Sequence, residues 1–145
     1  MRLWGHPIHP MLAHFPVAFW TVAAVAYVAA AVGVEGAAGV AKLSNGAGLI
    51  IAMFAMIAGL MELRSIGNRG DAIRVAISHM MAMTTAWVCF MFALVMTAGA
   101  NLESSTAQLA GVASAGVGFL LMSIGGWLGG RLVYEFGIGV AAREK

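Results

Sequence analysis

The chain has 145 residues, 61% of them hydrophobic and only 10% charged, where an ordinary soluble domain carries roughly 25% charged residues. One domain of this length cannot hide so much apolar surface from water, which excludes a soluble fold and makes lipid the solvent. A net charge of +2 and a pI near 9.1 could suggest a nucleic-acid binder. The placement of the basic residues, nearly all at one end of the spans, gives them another meaning.

Four stretches carry no Lys, Arg, Asp or Glu: residues 3–34, 43–61, 75–102 and 104–130. A helix needs roughly 20 apolar residues to cross about 30 Å of hydrocarbon. In lipid every backbone polar group must be paired within its own segment, so these stretches are helices rather than open strands. The expected spans are 10–33, 43–63, 73–99 and 106–130, giving an all-α, integral membrane four-helix bundle built as one domain over 1–145.

The first expected element follows Gly5-His-Pro-Ile-His-Pro10. The prolines keep this lead extended until Pro10, which suits the first helical position. Trp4 is placed to anchor at the interface. Pro16, inside the span, should kink the helix and free the carbonyl of Leu12. The long apolar run, with no Ala-x-Ala site after it, reads as a retained helix and not a cleavable leader.

Gly33 to Gly39 makes a short outer loop before the second span. An inner loop follows at Met61 to Gly70, with Gly67 and Gly70 as turn residues. Asp71 suits the N-terminus of the third helix. Asn101 to Thr106 forms the second outer loop, and the fourth span ends in a glycine-rich run from Gly125. Both hairpins close with Gly-x4-Arg (Gly59 to Arg64, Gly126 to Arg131), a weak internal echo that chance also produces.

With four spans, both termini and the middle loop share one face. That face carries Arg2, Arg64, Arg69, Arg74, Arg131, Arg143 and Lys145; the other carries Lys42. The positive-inside rule makes the basic face cytoplasmic, so both termini are expected inside a bacterial cytoplasmic membrane, and no nucleic-acid partner is implied. The single Cys89 has no partner for an intrachain disulfide, and no C-x-x-C-H motif attaches haem covalently.

Imidazoles inside a membrane are functional candidates. His14 lies four residues past Pro10 and His79 five past Arg74, about 6 and 7.5 Å into their spans at 1.5 Å per residue. Two histidines on different helices at one depth match the ligand pair of a b-type haem. On this reading His14 and His79 bind the iron, Arg74 and Arg131 hold the propionates, and Tyr134 closes the inner edge. Small residues (Ala72, Ala76, Ala82, Ala86, Gly118, Gly125, Gly126, Gly129) would make room for the ring, although such residues also serve plain helix packing.

The expected activity is electron transfer rather than stand-alone catalysis, between a quinone and a redox protein partner, with Trp20, Trp87 and Trp127 available to line a quinone site. Two alternatives stand beside it. One is a non-redox structural or assembly subunit, a homo-oligomer or part of a larger complex, packed through the glycine-rich fourth helix. The other is a copper protein using His6, His9 and some of the eleven methionines, since imidazole and thioether suit soft copper; His6 and His9 otherwise support the main ligands. No P-loop, H-E-x-x-H or Ser-His-Asp grouping appears, and no acid lies in mid-membrane for a proton-driven pump.

Gly5-His-Pro-Ile-His-Pro-Met-Leu-Ala-His-Phe-Pro16, the histidine early in the third span, and Gly-Gly-x-Leu-Gly-Gly-x-Leu-Val-Tyr-x-x-Gly-x-Gly-Val from Gly125 to Val140 resemble the bacterial membrane family called domain of unknown function 2231. The resemblance covers nearly the whole chain and implies a four-helix inner-membrane protein without a settled activity. Relatives that adjoin Rieske-type or cytochrome domains favour electron transfer. His6, His9, His14, Arg131 and Tyr134 match the family's motifs.

Overall fold

The computed structural model describes residues 2–3, 6–66, 70–98 and 105–139. Four helices dominate it: α1 Ile8–Ala31, α2 Ala37–Ile66, α3 Gly70–Ala98 and α4 Ser105–Tyr134. All four are long and apolar enough to cross a membrane. Two-residue strands β1 (Arg2–Leu3) and β2 (His6–Pro7) pair antiparallel ahead of α1.

The helices outrun the charge-free stretches at the basic end. α2 continues to Ile66 and α4 to Tyr134, so Glu62, Arg64 and Arg131 ride on helices. Long side chains near a span's end can reach the interface, so charge marks where hydrocarbon ends and not where the helix ends. α1 begins at Ile8, which makes Pro10 its third residue rather than its first. A proline there costs little, because first-turn N–H groups lack helical partners anyway. Pro16 lies inside α1, and the helix continues through it to Ala31.

At the opposite end Gly33 and Gly36 take positive φ (85° and 77°), and the N–H of Val34 returns to the carbonyl of Ala29 at 3.0 Å. This glycine-capped stop is open to a residue without a Cβ. The expected roles of Trp4, Gly67, Arg69, Arg143, Lys145 and most of the second outer loop lie outside the described residues.

α1 packs closely along α2, and α3 along α4; the two hairpins meet more loosely through α2–α3 and α1–α4. Residues seventy positions apart play matching parts. Tyr27 and Thr97, with that separation, meet oxygen to oxygen at 3.4 Å. Trp20 and Phe90 stack with ring centroids 4.7 Å apart and planes 10° from parallel. A Cβ added to Gly48 would fall 2.6 Å from Trp20, and one added to Gly118 would fall 3.0 Å from Phe90. The hairpins are therefore related by an internal two-fold, with α1 matching α3 and α2 matching α4. Its register is seventy residues, not the spacing of the two Gly-x4-Arg closings.

The centre on this axis is mostly small-chained: Ala23, Ala41, Ala86 and Ala93 are fully buried around Trp20 and Phe90. Small residues let backbones approach where lipid offers no hydrophobic drive to associate. Asn45, also fully buried, donates to the Tyr27 hydroxyl at 3.0 Å and to the carbonyl of Phe90 at 2.8 Å. Tyr27 in turn meets Thr97, whose hydroxyl donates to Ala93 O at 2.8 Å.

A second cluster closes the basic end. Ile66, Ala72 and Ala76 pack with Leu132, Phe136 and Ile138. After α4 the chain turns back through Gly137 and Gly139, both at positive φ, with Ile138 N–H on the Leu132 carbonyl at 2.9 Å.

Candidate functional site

Between the hairpins, at the basic end, lies a cavity of about 240 Å³. α1 contributes His9, Ala13, Pro16 and Trp20; α2 contributes Ala52, Ala55, Met56 and Gly59 to Ile66 in part; α3 contributes Ala76, His79, Met80, Met83 and Thr84. Leu132 and Ile138 cover its basic end. Leu60 and Thr84, both exposed, mark its mouth on the α2–α3 surface.

The two histidines in its wall are held in the same way. His9 Nδ1 lies 2.7 Å from the carbonyl of Ala55, and His79 Nδ1 lies 2.8 Å from the carbonyl of Gly125. Each pair is separated by 46 residues, and the second pair is the first moved along by the seventy-residue repeat. Glycine makes room in both places: a Cβ on Gly59 would sit 2.9 Å from the His9 ring, and one on Gly129 would sit 3.2 Å from the His79 ring. Across the axis the rings meet edge to face, centroids 6.2 Å apart and planes at 86°.

A carbonyl oxygen only accepts, so each Nδ1 carries a hydrogen, and in the neutral tautomer each Nε2 keeps its lone pair. Nδ1 and Cε1 of both rings lie against a glycine of the neighbouring helix, with His9 Nε2 also beside Gly59, and both rings line the cavity. No protein group among the described residues bonds either Nε2.

His14 does not join this pair. It is exposed on α1, five residues past His9 and so roughly 140° round the helix from it. Equal depth brought His14 level with His79 without turning the two toward each other. Arg74 pairs with Asp71, both largely exposed. Arg131 holds Glu135 through three nitrogen–oxygen contacts of 2.8–3.0 Å and lies over the Trp127 ring, 5.3 Å from its centroid. That guanidinium keeps the Glu135 carboxyl below the usual carboxylate range. Tyr134 is 89% exposed. Nothing is described of the His6 side chain.

The three tryptophans do not converge either. Trp20 lines the cavity and stacks on Phe90, Trp87 donates to the Leu49 carbonyl at 3.1 Å, and Trp127 is exposed. Of the glycines expected to admit a flat ring, Gly129 admits the His79 imidazole and Gly118 the Phe90 ring, while Gly126 has nothing within 4 Å.

A family model described as "Predicted membrane protein (DUF2231)" matches residues 5–142. No curated protein and no solved structure matches the chain. These findings overturn the cytochrome expectation. The family description carries no haem or electron-transfer function, His14 and His79 do not face one another, and no group of three or more His, Cys, Asp or Glu suited to a metal ion occurs among the described residues. No histidine-based haem site is indicated. The residue that does face His79 is His9, which sequence reasoning had set in a supporting role; the seventy-residue spacing of the two histidines was the signal for it.

Proposed function

Starting from a chain that belongs to this family of predicted membrane proteins, we propose that it is a membrane-embedded binding protein whose inter-hairpin cavity takes up a small amphipathic molecule from the surrounding lipid. One observation carries the reading: a largely apolar cavity of about 240 Å³ with two imidazoles converging on it. Apolar walls with a few convergent polar groups are the usual composition of small-molecule sites. The exposed mouth between α2 and α3 supports entry from the side, and the Leu132–Ile138 turn at the basic end supports exclusion of water there.

The topology belongs to the same reading. Seven basic residues at the end bearing both termini, against Lys42 at the other, support a cytoplasmic placement of that end in a bacterial inner membrane. The cavity then opens within the inner leaflet.

The test is native mass spectrometry of protein extracted in a mild non-ionic detergent. A retained small molecule, lost in Ala76→Leu and Ala52→Leu variants that fill the cavity from α3 and α2, is the expected result. Identical spectra for the parent and both filled variants, each folded, would overturn it.

A further inference from the structure

The end of α4 is a complete glycine stop. Gly137 takes positive φ (64°) and returns its N–H to the Val133 carbonyl at 3.1 Å, while the Ile138 N–H reaches the Leu132 carbonyl at 2.9 Å. A stop of this kind brings the residue after the glycine against the helical residue six positions back. Here that apolar pair is Leu132 and Ile138, and both line the cavity. The turn that ends the helix also supplies the cover of the cavity's basic end.

From Gly137 the chain runs away from its own helix as a strap. Gly139, again at positive φ (80°), reaches α1 and α2: a Cβ there would stand 3.6 Å from Pro10 Cγ and 3.6 Å from Glu62 Oε1. Positions 137–139 are the repeat counterparts of 67–69, which link α2 to α3. The strap makes the matching crossing from α4 toward α1, but it meets α1 by contact and not through the chain. Glu135, held to Arg131 by three contacts, stays with α4 and puts the hinge at Gly137. Ile138 and Gly139 are only half-buried, whereas Ile66, Ala72 and Ala76 in the cluster they cover are buried. Thinly packed segments of this kind open locally while the rest of a fold stays intact.

We propose that residues 137–139 form a gate, with Ile138 as its covering side chain, that swings about Gly137 to connect the cavity with water at the basic end. This rests on the binding reading above and adds a second route to it. The side mouth at Leu60 and Thr84 serves lipid; the gate serves water. When it opens, a molecule held between the hairpins meets water at one end while the rest of it stays between apolar walls.

The experiment uses the full chain in lipid nanodiscs, with Cys89→Ala as background. It follows the reaction of single introduced cysteines with a charged, membrane-impermeant methanethiosulfonate. Asp71→Cys, exposed at the basic end, sets the fast rate, and Ile57→Cys, exposed on the lipid face, sets the null. Ala76→Cys, on the cavity wall beneath the gate, should react at an intermediate rate. Gly137→Val, a branched residue at positive φ, should raise that rate roughly tenfold or more. Ile138→Ala, which leaves the backbone unstrained, should raise it too. An Ala76→Cys rate equal to that of Ile57→Cys would overturn the gate in favour of a fixed plug, and one equal to that of Asp71→Cys would overturn it in favour of an open end. A rate unchanged by both gate substitutions, each folded, would overturn it as well, because entry would then lie elsewhere. A molecule retained in native mass spectra beside an unlabelled Ala76→Cys sinks the gate alone; gated labelling of a cavity that retains nothing supports the gate and sinks the binding reading alone.

Discussion

Trp20 and Phe90 lie face to face at the centre of the molecule, each fully buried, each resting on a glycine of its own hairpin. They occupy one position of the repeat twice, so the internal two-fold passes between their rings. Truncating either to alanine should destabilise the protein by about 3–5 kcal/mol. The double variant should lose less than the sum, because the stacked pair contributes about 0.5–1.5 kcal/mol that can be removed only once. Thermal unfolding in detergent of both single variants and the double variant measures this coupling.

Glycine substitutions should sort by what lies opposite them. Gly48→Ala and Gly118→Ala drive a methyl against Trp20 and Phe90 and should destabilise by about 1–3 kcal/mol. Gly46 and Gly116 lie on the same helices with nothing within 4 Å. Their alanine variants should be neutral or slightly stabilising, by up to about 1 kcal/mol from helix propensity. Unfolding midpoints of the four variants provide the comparison.

The Asn45 amide connects α1, α2 and α3 through Tyr27 and the Phe90 carbonyl. Asn45→Ala strips a buried acceptor of its donor and should lower stability by about 1–3 kcal/mol. Tyr27→Phe removes one hydroxyl from the same chain of bonds and should do less. Equal losses would show the bond to Phe90 to be unimportant.

Nitrogen-15 spectra of selectively labelled protein should find His9 and His79 protonated at Nδ1 and bare at Nε2, since both Nδ1 atoms face carbonyls. His14→Ala should leave these two resonances and the cavity's contents unchanged. Movement of the His79 signal in His14→Ala would contradict the separation of the two residues.

The helices were legible because their signal is one-dimensional. Charge-free length reports directly on hydrocarbon thickness, and seven of the eight ends of the expected spans lie within four residues of a helix end, the start of α2 being the exception. The helix ends were less so: α2 and α4 carry charged residues past the hydrocarbon, which no count of apolar residues registers. The site was half legible. His79 was singled out and lines the cavity, but depth along a helix says nothing about azimuth, and His14 rather than His9 was chosen as its partner. The glycine-rich run of α4 was noticed as room for a ring; that Gly125 and Gly129 serve the histidine of α3 depends on which helices are neighbours. The repeat was sought in the Gly-x4-Arg closings at the surface, whereas it is kept at buried positions: Trp20 with Phe90, Gly48 with Gly118, His9 with His79.

The cavity mouth at Leu60 and Thr84 has a consequence for how occupancy is governed. A solute arriving from the bilayer is already concentrated there by partitioning, so its effective concentration at the mouth greatly exceeds its concentration in water. On the proposed binding reading, modest intrinsic affinity would be enough to keep the cavity filled, and exchange would follow the lateral diffusion of membrane solutes. Membrane composition, more than aqueous supply, would set what the protein holds.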